Sequence, residues 1–224
     1  KDMGIKASFS VENTPLGTGG GLRNAYPFFR KDKEPFVVFN GDVIADFNLD
    51  KIIAFHKEKN AYLTIGLVRI SNPSSYGLVI TDSDMSIKKF IEKPSPEEII
   101  CDTINSGVYI FSPEIFSEIP SGRPVSLEKE IFPSLLEKGK KIYAYIHYGY
   151  WIDVGTVEKY RKVNFDALEG KTGIFAGKGQ RSNLITGTAS VLKEGVEIKG
   201  RAVIGNKCFI GKNCIIEESI IMDG

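Results

Sequence analysis

PFVVFNGDVIADF, residues 35–47, is the stretch on which the reading of the fold turns. The unbroken apolar run Phe36–Phe39, bounded by Pro35 and Gly41, predicts a strand buried on both faces, as in a parallel sheet. Asp42 follows where that strand ends, at the carboxyl edge of the sheet, where α/β folds bind ligands. A carboxylate there is placed to hold a divalent cation against phosphate oxygens. An Asp that merely caps the next turn reads the same way.

Outward from this stretch, strand and helix patterns alternate to about residue 168. Strands are expected at Lys6–Val11, Tyr62–Ile70, Leu78–Thr81, Ile87–Ile91, Val108–Phe111 and Ile142–His147. Helices are expected over Leu49–Lys59, from Ser112-Pro113-Glu114, from Ser126 to Lys138 with Gly139 beyond it, and from Thr156 to just before Gly170. Such alternation predicts an α/β domain with a mostly parallel sheet.

A Gly-rich, polar stretch from Gly170 to Thr188 separates this domain from a different pattern. Leu192, Ile198, Ile204, Ile210, Ile216 and Met222 recur every six residues, and Val196, Ala202, Cys208, Cys214 and Ile220 lie four positions after the first five. Neither a helix nor an ordinary strand has this period; short parallel strands winding round a triangular coil do. Cys208 and Cys214 are then expected to point inward as small hydrophobes. The domain boundaries read as 1–169, a linker over 170–188, and a coil over 189–224. The coil is short, so the expectation is either that the polypeptide continues or that its last face packs on another surface, such as a second copy.

The balance of 29 basic against 28 acidic residues, net +1, leaves no field to favour nucleic acid or a membrane surface. With 42% hydrophobic and 25% charged residues the composition is that of a folded domain. Three cysteines without metal-ligand spacing fit a reducing, cytoplasmic setting. No apolar run has spanning length. The chain opens on Lys1 rather than Met, and is expected to be part of a longer polypeptide.

Four further segments carry candidate chemistry. Leu16–Leu22, LGTGGGL, reads as a Gly-rich loop feeding a helix, whose glycines let backbone N–H groups approach a base or phosphate because no Cβ intervenes; a flexible connector has the same composition. Phe90-Ile91-Glu92-Lys93-Pro94 sets an acid and a base at a strand end, for sugar hydroxyls and a phosphate, or as a solvated pair before a turn. Asn105-Ser106-Gly107 enters a strand. Trp151-Ile152-Asp153 places an acid between a strand and a capped helix, either as a second metal ligand or as a turn residue. His56, on what reads as a polar helix face, and His147 have no legible Ser or Cys partner, so nucleophilic catalysis is not indicated.

Taken in order, PLGTGGGL, FNGDVI, SYGLVI, FIEKP, NSGVYIF, YWIDVGT and the hexads resemble the sugar-1-phosphate nucleotidyltransferases, with a flavour nearest the mannose-1-phosphate guanylyltransferases. The resemblance implies a Rossmann-like nucleotidyltransferase domain followed by a left-handed β-helix. It implies that Gly17, Thr18 and Gly19 line the nucleobase pocket and that Gly77, Glu92 and Asn105 border the sugar. Lys93 would meet the sugar phosphate, and Asp42 with Asp153 would hold Mg2+. The implied reaction is attack of a sugar-1-phosphate on the α-phosphorus of an NTP, with GTP and mannose-1-phosphate favoured, expelling pyrophosphate by positioning and charge neutralisation.

One departure qualifies this expectation. The family's Gly-rich triphosphate loop, with its Thr-Arg and Lys-Pro pairs, is absent from these 224 residues. Two readings follow: an enzyme completed by an N-terminal complementing segment or chain, or a non-catalytic relative that binds a sugar nucleotide or a partner. Retention of Asp42, Lys93 and Asp153 leans towards the first. An acyltransferase built on the hexads would lack a catalytic His.

Overall fold

A computed structural model describes residues 4–29, 31, 33–173 and 182–224. The middle of the expected linker, 174–181, lies outside the described residues. The elements begin with helices α1 (Gly17–Asn24) and α2 (Tyr26–Phe29), strands β1 (Phe36–Phe39) and β2 (Val43–Ala45), and helix α3 (Leu49–Glu58). Strands β3 (Leu63–Arg69), β4 (Leu78–Thr81), β5 (Ile87–Ile91) and β6 (Thr103–Phe111) follow. Then come α4 (Ile115–Glu118), a π-helical turn at Leu127–Ile131 running into α5 (Phe132–Glu137), β7 (Ile142–His147), β8 (Trp151–Asp153) and α6 (Val157–Leu168). The chain ends in β9 (Leu184–Thr186), β10 (Val191–Leu192), β11 (Glu197–Ile204), β12 (Phe209–Ile210) and β13 (Ile215–Ile221). Two compact units result: Lys1–Asn40 with Asn48–Tyr148, and Gly41–Phe47 with Gly149–Gly224.

The first unit is a six-stranded sheet ordered β5-β4-β6-β3-β7, with β1 also on β6. β3 and β6 are buried almost throughout because each has a neighbour on both edges. Leu63, Ile65 and Leu67 alternate onto one face and join Tyr109, Phe111 and Phe132 in the core. Phe132 is ringed by Phe90 and Tyr109, each with centroids 5.5 Å away. Truncating it to Ala would cost about 3–5 kcal/mol.

The expected parallel sheet is not what forms. Within this sheet, among the described residues, only β3 and β7 run parallel; β1–β6, β3–β6, β4–β5 and β4–β6 are antiparallel. From Leu63 to Phe111 four strands follow one another with no crossover helix between them, and strands so joined pair antiparallel. Nor is β1 buried on both faces as expected: Phe36, Val37 and Val38 are half-buried and Phe39 is 44% exposed, the strand lying at the margin of the sheet with β6 as its one paired neighbour among the described residues; its apolar run does not report that neighbour's direction. Lys6–Val11 forms no strand, and Phe9 and Val11 are exposed, with no strand paired to the segment among the described residues. Three helix starts are capped by side chains, Asn48 accepting from Lys51 N–H, Ser126 from Lys129 N–H and Thr156 from Lys159 N–H, whereas the helix expected from Ser112-Pro113-Glu114 is only the four-residue α4, with Glu114 rather than Ser112 at its cap and no side-chain cap bond. His56 is not on a polar face. It stands one turn after buried Ile52 and is itself buried, its Nδ1 2.9 Å from Thr64 Oγ1.

In the second unit β2 and β8 form a short antiparallel ladder. The C-terminal strands pair in parallel, Val191 with Phe209, Glu197 with Ile215 and Ala202 with Leu184, each eighteen residues or three hexads apart; between Lys199 and Ala202 the β11–β13 register slips by one, so that Ile204 pairs with Ile221 rather than Met222. Ala202, Ile204, Cys208 and Ile216 make their core. The inward expectation fails at Cys214 and Met222, which are exposed. Cys208 is covered on the side of Met222, whose carbonyl its thiol meets at 3.0 Å, whereas Cys214 has a paired strand on one side only. Among the described residues no helix is long and apolar enough to cross a membrane.

Candidate functional site

In the first unit, pairing of Leu78 with both Ile91 and Ile104 brings the ends of three strands together. Gly77, Glu92 and Asn105, far apart in sequence, consequently line one cavity of about 210 Å³ with Asn40, Tyr76 and Glu128. Gly77 is a close-approach glycine: a Cβ there would lie 2.6 Å from Glu92 Oε2. Its carbonyl accepts the Asn105 N–H at 3.2 Å.

Asn105 is aimed by an irregularity in β6. Register against β3 shifts between Ile65, paired with Tyr109, and Leu67, paired with Asn105, so that Ser106-Gly107-Val108 fall out of step immediately after Asn105. Ser106 Oγ donates to Gly66 O at 2.7 Å, and Gly107 at φ +73° lets its N–H reach Asn105 Oδ1 at 3.0 Å. Asn105 Nδ2 then donates to Tyr109 Oη at 3.0 Å, so both ends of the amide are fixed.

Glu128 is the residue sequence reasoning missed. Its carboxylate accepts from Thr18 Oγ1 at 2.8 Å, Ser126 Oγ at 2.9 Å and Tyr109 Oη at 3.3 Å. Burial first, and then this carboxylate, hold the Tyr109 phenol far above its ordinary pKa. In the sequence Glu128 is one of two acids just after the Ser126 cap, where acids serve the helix dipole and carry no further signal.

LGTGGGL is not a loop before a helix: Leu16 is the N-cap and Gly17–Leu22 are six of the eight residues of α1 itself. Gly19 and Gly20 N–H groups both donate to Val125 O, and a Cβ on Gly17 would sit 2.7 Å from that oxygen. The close approach that glycine permits is taken up by the chain's own backbone. Thr18 Oγ1 also accepts the Leu127 N–H at 2.9 Å. Lys93 is exposed beside Glu92 and does not line the cavity. It has φ +52° immediately before a proline, a conformation sterics oppose twice over.

In the second unit Asp42 and Asp153 come to one end of the β2–β8 ladder. Val43 registers with Asp153, and Val154 N–H donates to Asp42 O at 2.6 Å. Asp153 Oδ1 accepts from Lys159 Nζ at 2.5 Å. Among the described residues no cluster of three or more His, Cys, Asp or Glu could hold a metal ion. Two carboxylates are nonetheless a fitting partial set for a hard divalent cation that takes its remaining oxygens from phosphates and water.

The family model described as "Nucleotidyl transferase" matches residues 1–170. The chain is 35% identical to a mannose-1-phosphate guanylyltransferase of Mycobacterium tuberculosis, over 99% of this chain and 61% of that protein. It is 37% identical to a mannose-1-phosphate guanyltransferase of Pichia angusta, over 96% of this chain and 56% of the relative. A UTP–glucose-1-phosphate uridylyltransferase of Synechocystis is 32% identical, over 99% of this chain and 65% of the relative. The chain thus spans under two thirds of the length of these relatives. The crystal structure of HddC from Yersinia pseudotuberculosis complexed with GMP-PN superposes with a TM-score of 0.55 at 31% identity, over 67% of this chain and 62% of that one. From its mixed α/β, Rossmann-like architecture and a family match running from residue 1 to 170, the chain belongs to the nucleotidyl transferase family.

Proposed function

We propose that this chain carries the sugar-phosphate and cation-binding parts of a sugar-1-phosphate nucleotidyltransferase, with GTP and mannose-1-phosphate as substrates. The observation that carries the reading is the meeting of Gly77, Glu92 and Asn105 around one cavity, a juxtaposition with no counterpart in sequence spacing. An acid and a doubly fixed amide suit sugar hydroxyls, and the exposed Lys93 ammonium beside them suits the sugar's phosphate. The names of the guanylyltransferase relatives support the choice of base and sugar.

In this reading Glu92 and Asn105 orient the sugar, and Lys93 draws its phosphate towards the nucleotide and offsets charge during transfer. Thr18, held by Glu128, belongs with Gly17 and Gly19 on the nucleobase side. Asp42 and Asp153 would hold the divalent cation, here Mg2+, whose contribution when bound is to neutralise phosphate charge. No residue serves as a nucleophile, because the attacking oxygen is the sugar phosphate's own. The parallel strands offset by three hexads make up a left-handed β-helix over 189–224, appended to the transferase part at 1–169 and available for self-association.

The triphosphate-holding loop is supplied, in this proposal, by a further segment. Mg2+-dependent pyrophosphate release is the test, across NTPs and sugar-1-phosphates, with and without an N-terminal segment taken from a guanylyltransferase relative. Release that needs the added segment and is lost in Asp42→Asn supports the reading. Sugar-nucleotide binding without release under either condition would favour a non-catalytic binding relative instead.

A further inference from the structure

Asp153 already holds a cation of the chain's own. Lys159 Nζ lies 2.5 Å from its Oδ1, a charge-assisted bond, with the two side chains 33% and 28% exposed. The lysine is well anchored for this: it is the third residue of α6, and its backbone N–H donates to the Thr156 cap at 3.2 Å. Partial shielding strengthens the pair relative to one at the open surface, yet leaves water near enough to exchange it. An oxygen that accepts an ammonium at that distance cannot at the same time give its full charge to a divalent ion.

We propose that Lys159 is a resident competitor at the cation site: its ammonium neutralises Asp153 until a divalent cation arrives, and the cation binds by displacing it. The inference rests on the assignment of Asp153 as a cation ligand made above. The displaced ammonium stays tethered to α6 beside the same acid and recaptures it when the cation leaves. The carboxylate is therefore never without a counter-charge, and cation affinity is held lower than two carboxylates alone would set it.

The test is Mn2+ titration of the full chain, by calorimetry and by the paramagnetic resonance signal of free Mn2+, in the absence of turnover. Lys159→Met should bind Mn2+ roughly three- to tenfold more tightly, the scale of releasing a partly shielded ion pair. Lys159→Arg should return the affinity to within about twofold of the parent. Lys162→Met removes the same charge from the same helix but from a pair with Asp166, and should change affinity less than about twofold. Thermal melts monitor folding, and Lys159→Gln serves should the Met variant fold poorly. Unchanged or weaker Mn2+ binding in Lys159→Met and Lys159→Gln overturns the proposal, as does equal tightening in Lys162→Met, which would reveal only remote charge. Those results with Mn2+ binding still sensitive to Asp153→Asn would leave the cation site standing. Binding indifferent to Asp153→Asn would remove both.

Discussion

Lowering the pH should loosen the first unit through one imidazole. His56 is 2% exposed between Thr64 and Ser112, and its pKa is lowered from 6.5 to about 4, chiefly by burial and then by the neighbouring Lys57 charge. A folded-state pKa below the unfolded one means the unfolded chain binds the proton more readily. Its contribution is therefore fully present above about pH 6.5 and is lost as pH falls towards about 4. At about 1.4 kcal/mol per pH unit within that window, roughly 2 kcal/mol is gone by about pH 5 and roughly 3 kcal/mol at the lower end. The comparison to make is parent against His56→Gln, which keeps a polar group near Thr64 but does not titrate there. Urea unfolding followed by far-ultraviolet circular dichroism, at about pH 7.5 and about pH 5, gives the two differences. His56→Gln should be the less stable protein at the higher pH and should recover about 2 kcal/mol relative to the parent at the lower. An identical pH dependence in both proteins would refute the claim that burial of this imidazole governs the window.

Three further outcomes concern the cavity and the residue beside it. Gly77→Ala would press a methyl group within 2.6 Å of Glu92 Oε2, so sugar-phosphate affinity in a binding assay should fall about tenfold or more with little change in melting temperature. Lys93→Gly should abolish nucleotidyl transfer in the complemented protein while raising stability by up to about 1 kcal/mol, because glycine accepts φ +52° without strain; calorimetric melting separates the two effects. Glu128→Ala strands the Tyr109 and Thr18 hydroxyls and should cost about 1–3 kcal/mol by urea unfolding, with Glu128→Gln recovering a large part of it.

The parts of the fold that were legible in the sequence are those set by local chemistry. Asn48, Ser126 and Thr156 announce helix starts because a short oxygen-bearing side chain satisfies an early N–H wherever it occurs. The six-residue period forces parallel strands at a three-hexad offset, since only that geometry stacks Ile198 on Ile216. Strand direction was not legible, because β1 reads the same in either sense and its neighbour is set by connections elsewhere. At the site, Glu92 and Asn105 stood out by residue type and Gly77 only through the family resemblance, but their meeting depends on the pairing of β4 with both β5 and β6. Glu128 is a tertiary finding: the groups it joins are Thr18, 110 residues away, and Tyr109. The burial of His56 was within reach, since it follows Ile52 by four residues on the same helical stripe.

β6 offers one edge to β3 along its whole length and divides the other between β4 near Ile104 and β1 from Val108 onward. At the handover, around Ser106 and Gly107, that edge belongs to neither strand. A sheet interrupted there has a cleft within its own plane, floored by its best-buried strand. The β4–β5 hairpin, flanked by Gly77 and Glu92, is joined to β6 over Gly77–Val79 by a few bonds on one side of that cleft. The hairpin's far end is tied to β7, where Ala144 N–H donates to Met85 O at 2.8 Å, and its Phe90 packs on Phe132, so this wall of the cleft is braced by the core and cannot be reshaped independently of it.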